Sequence, residues 1–536
     1  MKKVALVNSL YSSNIEKINS NFVIGSQIGL LSLNTLFNNN GIESEIIDLN
    51  IEKLKNKQQL SEDYYKATAE QIKDLNPDYI GFTAMSNNFV NALLLSIEVH
   101  QIIPNATIFF GGPQATAVSE DLLNEFPHIN FVCIGESEVT VSHLIQFMKG
   151  DIEFPEIPSV IFRKTSTELV RTKQAELIPI GDLVNINYDS LIDKYQLINE
   201  NALLCIEGGR GCPYRCIFCS TSTFWSRKFR IRPTEKLRNE IRELKQKCGI
   251  QKISIIHDLF TCDRKKLREF CEMINEENVE WACSSRVDVL NEEDILLMKE
   301  SGCKEIFFGI ESGSLYIQEK IGKGLDLDVA DKIIACAIDN GINPTASFVI
   351  GFPFETPDDI EESLRKGLKY SVYGASRVLI NILTPEHGSD IMNKYHKNLV
   401  FEDNYYINSN DSICIDLEKE LELIRKYPKL FNHYYFTQND QFNYHYLYFI
   451  RNMFNLLIAD FKLTLAAITE QTDIKLIDLF FTIAGIEKTS FIDYDRLQVF
   501  KNIDTLIKNF MRYVIDLKSE DIGNIFKEEF IKLYNK

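Results

Sequence analysis

Three cysteines, Cys212, Cys216 and Cys219, fall close together in the stretch GGRGCPYRCIFCS, residues 208 to 220. Thiolates are the soft metal ligands among side chains, and three on one turn can share a single metal centre. A closed tetrahedral zinc site needs a fourth ligand, for which Cys205, Cys248 or a histidine is available. A [4Fe–4S] cluster is the other arrangement: three irons take the thiolates and one stays open to a small chelating molecule. In that case the fourth partner is a substrate or cofactor, and the loop is the centre of an enzyme. The other cysteines (133, 205, 248, 262, 271, 283, 303, 336 and 414) stand singly, most of them inside apolar runs. They read as small buried hydrophobes in a reducing compartment.

The elements that must present this loop alternate strand and helix. Over residues 1–150, KVALVNS, IESEIIDLN, PDYIGFTAMS, NATIFFGGPQAT and INFVCIGESE read as five strands, each leading into a helical pattern. Such a series predicts an α/β, doubly wound parallel sheet of flavodoxin-like (Rossmann-type) order, with ligands at the carboxyl ends of the strands. Those ends carry Asn8-Ser9, Thr83 to Asn87, Gly111 to Thr116 and Gly135 to Glu138; glycines there let a backbone approach a bulky ligand. Residues 151–198, with IPSVIFRKTSTELVRTK, read as a hairpin and linker. A second series occupies 199–388: LLCIEGG, KISIIHDLF, EWACSSRVD, KEIFFGIESG, TASFVIGFP and RVLINILTP, with helices expected at 234 to 248, 263 to 276 and 328 to 340. Six parallel strand–helix units make a partial (β/α)6 barrel, and the cysteine loop follows its first strand, on the rim where barrel active sites form. Over 389–536 the strand pattern stops. HYLYFIRNMFNLLIADFKLTLAAI and DTLIKNFMRYVIDL are amphipathic, and a mostly helical C-terminal domain is expected.

Composition narrows the class further. A chain of 536 residues exceeds one ordinary core, so several domains are expected. The net charge of −18 argues against a large nucleic-acid surface, although WSRKFRIR (225 to 232) reads as a local basic patch. No run reaches the roughly 20 apolar residues of a spanning helix. The opening MKKVALVNSL reads as a first strand rather than a signal peptide, so a cytoplasmic protein without membrane attachment is expected.

GCPYRCIFC after the first strand of a six-unit barrel resembles the radical S-adenosylmethionine (SAM) superfamily, whose motif is CxxxCxxC with an aromatic residue before the last cysteine, here Phe218. The resemblance covers about 200 to 385. It implies a [4Fe–4S] cluster whose open iron chelates SAM, with one electron, from a donor such as flavodoxin or ferredoxin, cleaving the sulfonium to methionine and a 5′-deoxyadenosyl radical. It also implies that Asp258, Arg286 with Asp288, and Glu311-Ser312, at the ends of the second to fourth strands, surround SAM. Gly351 in GFPFET (351 to 356) would allow close approach to the adenine.

A doubly wound domain ahead of such a barrel, with GGPQAT and GESE loops, is similar to the cobalamin-binding radical SAM class. That implies cobalamin (B12) between the strand ends and the barrel mouth, held by Ser9, Thr83, Ser86, Asn87, Gly111, Gly112, Gly135 and Glu136 through backbone and small side chains. The D-x-H-x-x-G motif is absent, and His100 in EVHQIIPN stands in mid-helix without its glycine. No protein imidazole is therefore expected on cobalt.

The typical reaction of that class is methylation of an unreactive carbon: SAM methylates cob(I)alamin, the radical activates the substrate, and methylcobalamin delivers the methyl group. Some relatives use the same parts for cyclisation, rearrangement or ring contraction. STSTFWSRKFRIRP and HDLFTCDRKKLREFC resemble radical SAM proteins found beside small peptide genes, which adds a ribosomally made peptide to small molecules as a substrate class. A methylthiotransferase would carry a second cluster in its N-terminal domain, but only Cys133 precedes residue 200; auxiliary C-terminal clusters need several late cysteines, and Cys414 stands alone. The alternative from another class is a non-enzymatic protein holding zinc and a nucleotide. The sequence assigns no catalytic acid or base. Replacing Cys212, Cys216 or Cys219 by Ala is expected to abolish deoxyadenosine formation while circular dichroism stays near that of the wild type; a variant that still cleaves SAM contradicts the cluster assignment.

Overall fold

The computed structural model describes residues 2–11, 28–56, 63–194, 198, 203–401, 418–431, 434–486 and 503–534. Cys414 and residues 199–202, where the barrel is expected to begin, lie outside them.

In the N-terminal half, β1 (Lys3–Asn8), β2 (Glu43–Asp48), β3 (Tyr79–Thr83), β4 (Thr107–Gly111) and β5 (Phe131–Cys133) lie parallel in the order β2-β1-β3-β4-β5. Val4 to Asn8 are all buried, as a central strand covered on both faces requires. The crossover helices pack as two pairs, Ile28–Asn39 with Glu138–Lys149 and Tyr64–Asp74 with Phe89–Ile102. The sheet does not stop at β5. The hairpin of β6 (Val160–Arg163) and β7 (Leu169–Arg171) pairs antiparallel with it, so the segment expected as hairpin and linker extends the first sheet.

After β8 (Leu203–Glu207), a short antiparallel ribbon of β9 (Gly209–Arg210) and β10 (Arg230–Ile231) brackets the cysteine loop. Then follow β11 (Lys252–Ile256), β12 (Glu280–Ser285), β13 (Cys303–Glu311), β14 (Asn343–Ile350) and β15 (Arg377–Ile382), which join β8 in a six-stranded parallel sheet in sequence order. The helices Thr234–Cys248, Arg264–Glu277 and Leu327–Asp339 lie within one residue of the spans their patterns predict. Alternate residues face them and are buried: Ile253 and Ile255 on β11, Trp281 and Cys283 on β12, Ile306 and Phe308 on β13. Trp281 keeps its indole N–H satisfied by donating to the Ser301 carbonyl at 3.0 Å. The other face is an open inner wall.

In the C-terminal region the helix Tyr444–Thr472 packs along the helix Pro357–Tyr373 and along β15. It kinks at Phe461, and the amides freed there are taken up: Glu529, on the helix Glu520–Tyr534, accepts from Leu463 N and Thr464 N, each at 3.0 Å. This region is not purely helical. β16 (Leu399–Phe401) and β17 (Tyr435–Thr437) form an antiparallel pair, each too short to leave an alternation in the sequence. Among the described residues no helix is long and apolar enough to cross a membrane.

Candidate active site

Backbone geometry shapes the cysteine loop first. Gly211 has φ +88°, and a Cβ there would lie 2.1 Å from the Lys228 carbonyl oxygen, so only glycine fits beneath the ribbon. Its N–H donates to Asp258 Oδ2 at 2.8 Å, Ile217 N donates to the Ile321 carbonyl at 2.9 Å, and Cys219 N donates to the Cys216 carbonyl at 3.1 Å. The three thiols are half-buried neighbours. Burial pushes the Cys212 thiol up to about 11, and the other two sulfurs add to the shift. Burial also raises Cys216, against the opposing charges of Lys323 and Arg286. Three soft donors on one tied-down turn fit an iron–sulfur cluster.

The rim residues fall into two groups. Asp258 and Phe218 face the mouth. The Asp258 carboxyl, raised by burial, accepts from Gly211 N, and the neighbouring Trp225 side chain opposes the shift; Phe218 packs edge-on to Phe352 at 6.0 Å. Arg286 is buried, held by Asp288 at 2.9 and 2.6 Å, with Nη2 donating to the Lys323 carbonyl at 2.9 Å and its guanidinium 3.9 Å from the Tyr214 ring centre. Its Nη1 is buried without a partner, a donor that a carboxylate ligand such as the amino-acid end of SAM would satisfy. Glu311 sits at φ +68°, beside the register irregularity between β13 and β14, and pairs with Lys323 at 2.8 Å. A non-glycine residue in that region is sterically costly and marks a local constraint.

Two further rim residues are engaged within the protein. The Ser312 hydroxyl is fully buried and committed within its own loop, lying 3.2 Å from Ser363 Oγ and accepting from Ser314 N at 3.1 Å. Gly351 has φ +96°, which favours glycine, and a Cβ there would meet the Leu447 side chain of the C-terminal helix at 2.7 Å. Beside it stands Glu355, which the sequence reading did not single out. It is fully buried and accepts from Gly351 N at 2.5 Å and Phe352 N at 3.1 Å, and burial pushes its pKa up to about 8.

A cavity of about 800 Å³ joins the two sheets. On the N-terminal side Ser86, Gln114, Thr116, Gly135 and Glu136 line it; on the barrel side Phe218, Cys219, Trp225 and Asp258 do. Of the eight residues expected around cobalamin, Ser86, Gly135 and Glu136 line the cavity, whereas Ser9, Thr83, Asn87, Gly111 and Gly112 do not. Ser9 is fully buried behind β1, its carbonyl accepting from Asn50 at 3.0 Å. The positive φ of Gly112 lets the chain turn past the Ala84 carbonyl, 2.7 Å from where a Cβ would be. The Glu136 carboxylate is turned away to Arg210 and Arg230, leaving its backbone for a ligand. His100 is exposed and lies tilted against His128 with ring centres 5.4 Å apart. His387 lines the cavity, but its Nδ1 meets Gln114 Nε2 at 3.2 Å and its Nε2 the Lys429 carbonyl at 2.8 Å, so both ring nitrogens are engaged. A mostly apolar space floored by a glycine turn, with no free imidazole lining it among the described residues, fits a large ligand held by shape and backbone.

Comparisons with known proteins agree with this geometry. The radical SAM superfamily model matches residues 206–367, and the B12 binding domain model matches 22–145. An uncharacterized methyltransferase of Pyrococcus horikoshii is 30% identical over 334 residues, 62% of this chain and 72% of that protein. The chain belongs to the cobalamin-binding class of the radical SAM superfamily. The anaerobic magnesium-protoporphyrin IX monomethyl ester cyclase of Rubrivivax gelatinosus is 28% identical over 317 residues, 57% of this chain and 56% of the cyclase. Among solved structures, the cobalamin-dependent SAM radical enzyme OxsB, with aqua-cobalamin and SAM bound, aligns over 99% of this chain and 84% of its own. Its TM-score is 0.63 and its identity 16%, a likeness of fold.

For a radical SAM barrel, the inner wall is the other surface that counts. Register places Glu207 beside Ile256, and Phe307 between Ser284 and Thr345. Ile256 and Phe307 remain 40% and 41% exposed, apolar surface open to the lumen. The run KEIFFGIE hides this, because a continuous apolar strand reads the same whether one face or both are covered.

Gly135 and Gly112 separate ligand effects from folding effects. At Gly135 a Cβ would meet nothing, so Gly135→Leu should fold, at a cost of about 1–2 kcal/mol for its positive φ, and weaken cobalamin retention by filling the cavity. Gly112→Val should instead lower the melting temperature, because its Cβ meets Ala84 backbone. Cobalt content and thermal denaturation of both variants check this; unchanged cobalt in Gly135→Leu places the ligand elsewhere.

Proposed function

We propose that this enzyme is a cobalamin-dependent radical SAM C-methyltransferase that places a methyl group on an unactivated carbon, with a ribosomally made peptide as the first substrate class to test. The single observation that carries this reading is the cavity that has Gly135 on one wall and Cys219 on the other. When bound, the cluster with SAM supplies a 5′-deoxyadenosyl radical, and cobalamin supplies the methyl carrier.

The chain's own residues bind, orient and exclude water. Cys212, Cys216 and Cys219 would hold the cluster, and Asp258 fixes their loop through Gly211 N. Arg286, whose Nη1 lacks a partner, would bind the SAM carboxylate, with Tyr214 and Asp288 holding the guanidinium in place. On the cobalamin side, Ser86, Gly135 and the Glu136 backbone line the ligand's space. Phe218, Phe224 and Trp225 supply apolar surface to the mouth, which keeps water from a reactive radical. The C-terminal helices close over the loop after β14 and are read as the part that selects the substrate. A flavodoxin or ferredoxin supplies the electron.

A second reading, cyclisation or rearrangement without methyl transfer, is favoured by the similarity to the monomethyl ester cyclase. The two part on their by-products. With SAM labelled on its methyl group, a reductant and a panel of peptides and small molecules, methyl transfer predicts label in the product and matched amounts of deoxyadenosine and S-adenosylhomocysteine. Deoxyadenosine with a converted but unlabelled substrate contradicts methyl transfer and favours the second reading.

A further inference from the structure

We propose that Arg210 is a positioning residue that sets the cobalamin-side loop against the cluster loop, so that both ligands meet across the cavity in one fixed relation. The inference rests on the functional reading above.

Arg210 lies on β9, two residues ahead of Cys212, and is 5% exposed. Its guanidinium is shared by three carboxylates. Glu207, at the end of β8, takes Nε at 2.7 Å and Nη2 at 3.1 Å. Glu138 takes Nη2 at 2.6 Å, and Glu136 takes Nη1. Glu136 belongs to the turn that follows β5, whose Gly135 lines the cavity, and Glu138 opens the helix after it. Glu136 is gripped a second time by Arg230 at 2.9 Å, and Arg230 also donates to the Ile178 carbonyl at 2.8 Å, in the connector between the domains. One planar cation thus fixes the barrel's first strand and the N-terminal sheet's last parallel turn.

The same guanidinium reaches the cluster loop by another route. Arg210 lies 5.4 Å and Arg230 5.9 Å from the centre of the Trp225 ring. Trp225 lines the cavity beside Asp258, which accepts from Gly211 N, the amide next to Cys212. Glu136, Arg210, Trp225, Asp258 and Gly211 therefore form a continuous path from the cobalamin-side turn to the first cluster cysteine.

A stability role alone accounts poorly for this arrangement. Three carboxylates and two guanidiniums are nearly excluded from water, and replacing buried charge by apolar packing is often as stable or more so. The best-attested use of buried ion pairs is to impose one register on two surfaces. Arginine suits that use because its fork of donors is rigid, whereas lysine keeps the charge on a flexible point. Arg210→Lys therefore separates geometry from charge.

The test compares wild type, Arg210→Lys and Glu136→Gln, each reconstituted anaerobically, by iron content, circular dichroism, hydroxocobalamin titration and SAM by-products. Arg210→Lys is expected to keep its iron and secondary structure, to bind cobalamin ~10–100-fold more weakly, as loss of a supporting contact does at other sites, and to form deoxyadenosine with little S-adenosylhomocysteine. Cobalamin affinity equal to wild type overturns the proposal, as does loss of iron and cobalamin together in a variant that keeps its secondary structure, which marks a plain structural staple. If Arg210→Lys does not fold, Glu136→Gln decides, since it removes one carboxylate from the same clamp: weakened cobalamin with intact iron supports the proposal, and unchanged affinity overturns it. A wild type that holds no cobalamin sinks the functional reading instead, and the titration of the unaltered protein shows that separately.

Discussion

A parallel sheet gathers the loops that follow its strands at one end, and this protein depends on two such ends being held mouth to mouth. The β2-β1-β3-β4-β5 sheet contributes Ser86, Gln114 and Gly135 to the shared cavity, and the barrel contributes Phe218, Cys219 and Trp225. Neither set encloses a ligand alone. The buried charges of Glu136, Glu138, Glu207, Arg210 and Arg230 cross the seam between the sheets, where an apolar contact would allow sliding. Directional ion pairs at fixed distances do not.

A second restraint comes from the C-terminal region. Leu447 occupies the space that a side chain at position 351 would need, Thr437 Oγ1 donates to the Gly351 carbonyl at 2.8 Å, and Asn439 donates to the Glu355 carbonyl at 3.0 Å. The loop after β14 is therefore clamped from outside as well as by Glu355 from within. Phe454 packs against Gly367 one stretch further along the same helix, which spreads this clamp over the barrel's fifth unit. Loops at a barrel mouth are ordinarily mobile; here the helical region holds one of them to the wall.

Much of this was legible in the sequence, for reasons that are local. Three cysteines on one turn announce a metal centre. Apolar periodicity places the helices of the barrel within a residue, and alternating strand and helix imposes parallel sheets. What stayed hidden depends on partners far along the chain. WSRKFRIR reads as a basic patch, yet Arg230 and Arg232 turn inward, Arg232 onto Glu240 at 2.7 Å, and Trp225 lines the cavity. The glycine at 351 points to a close neighbour but not to which one, and the fold places Leu447 there. GESE offers two carboxylates as though to solvent, and only the fold shows that both meet Arg210.

The central claim is that the cavity between the sheets holds cobalamin facing a cluster on Cys212, Cys216 and Cys219. Iron and cobalt content, with a visible spectrum, on protein purified anaerobically from cobalamin-fed cells tests it most directly. The account predicts iron sufficient for a [4Fe–4S] cluster and one cobalt per chain, with corrinoid absorption. Iron without cobalt contradicts the cobalamin half of the claim, and zinc in place of both contradicts it entirely.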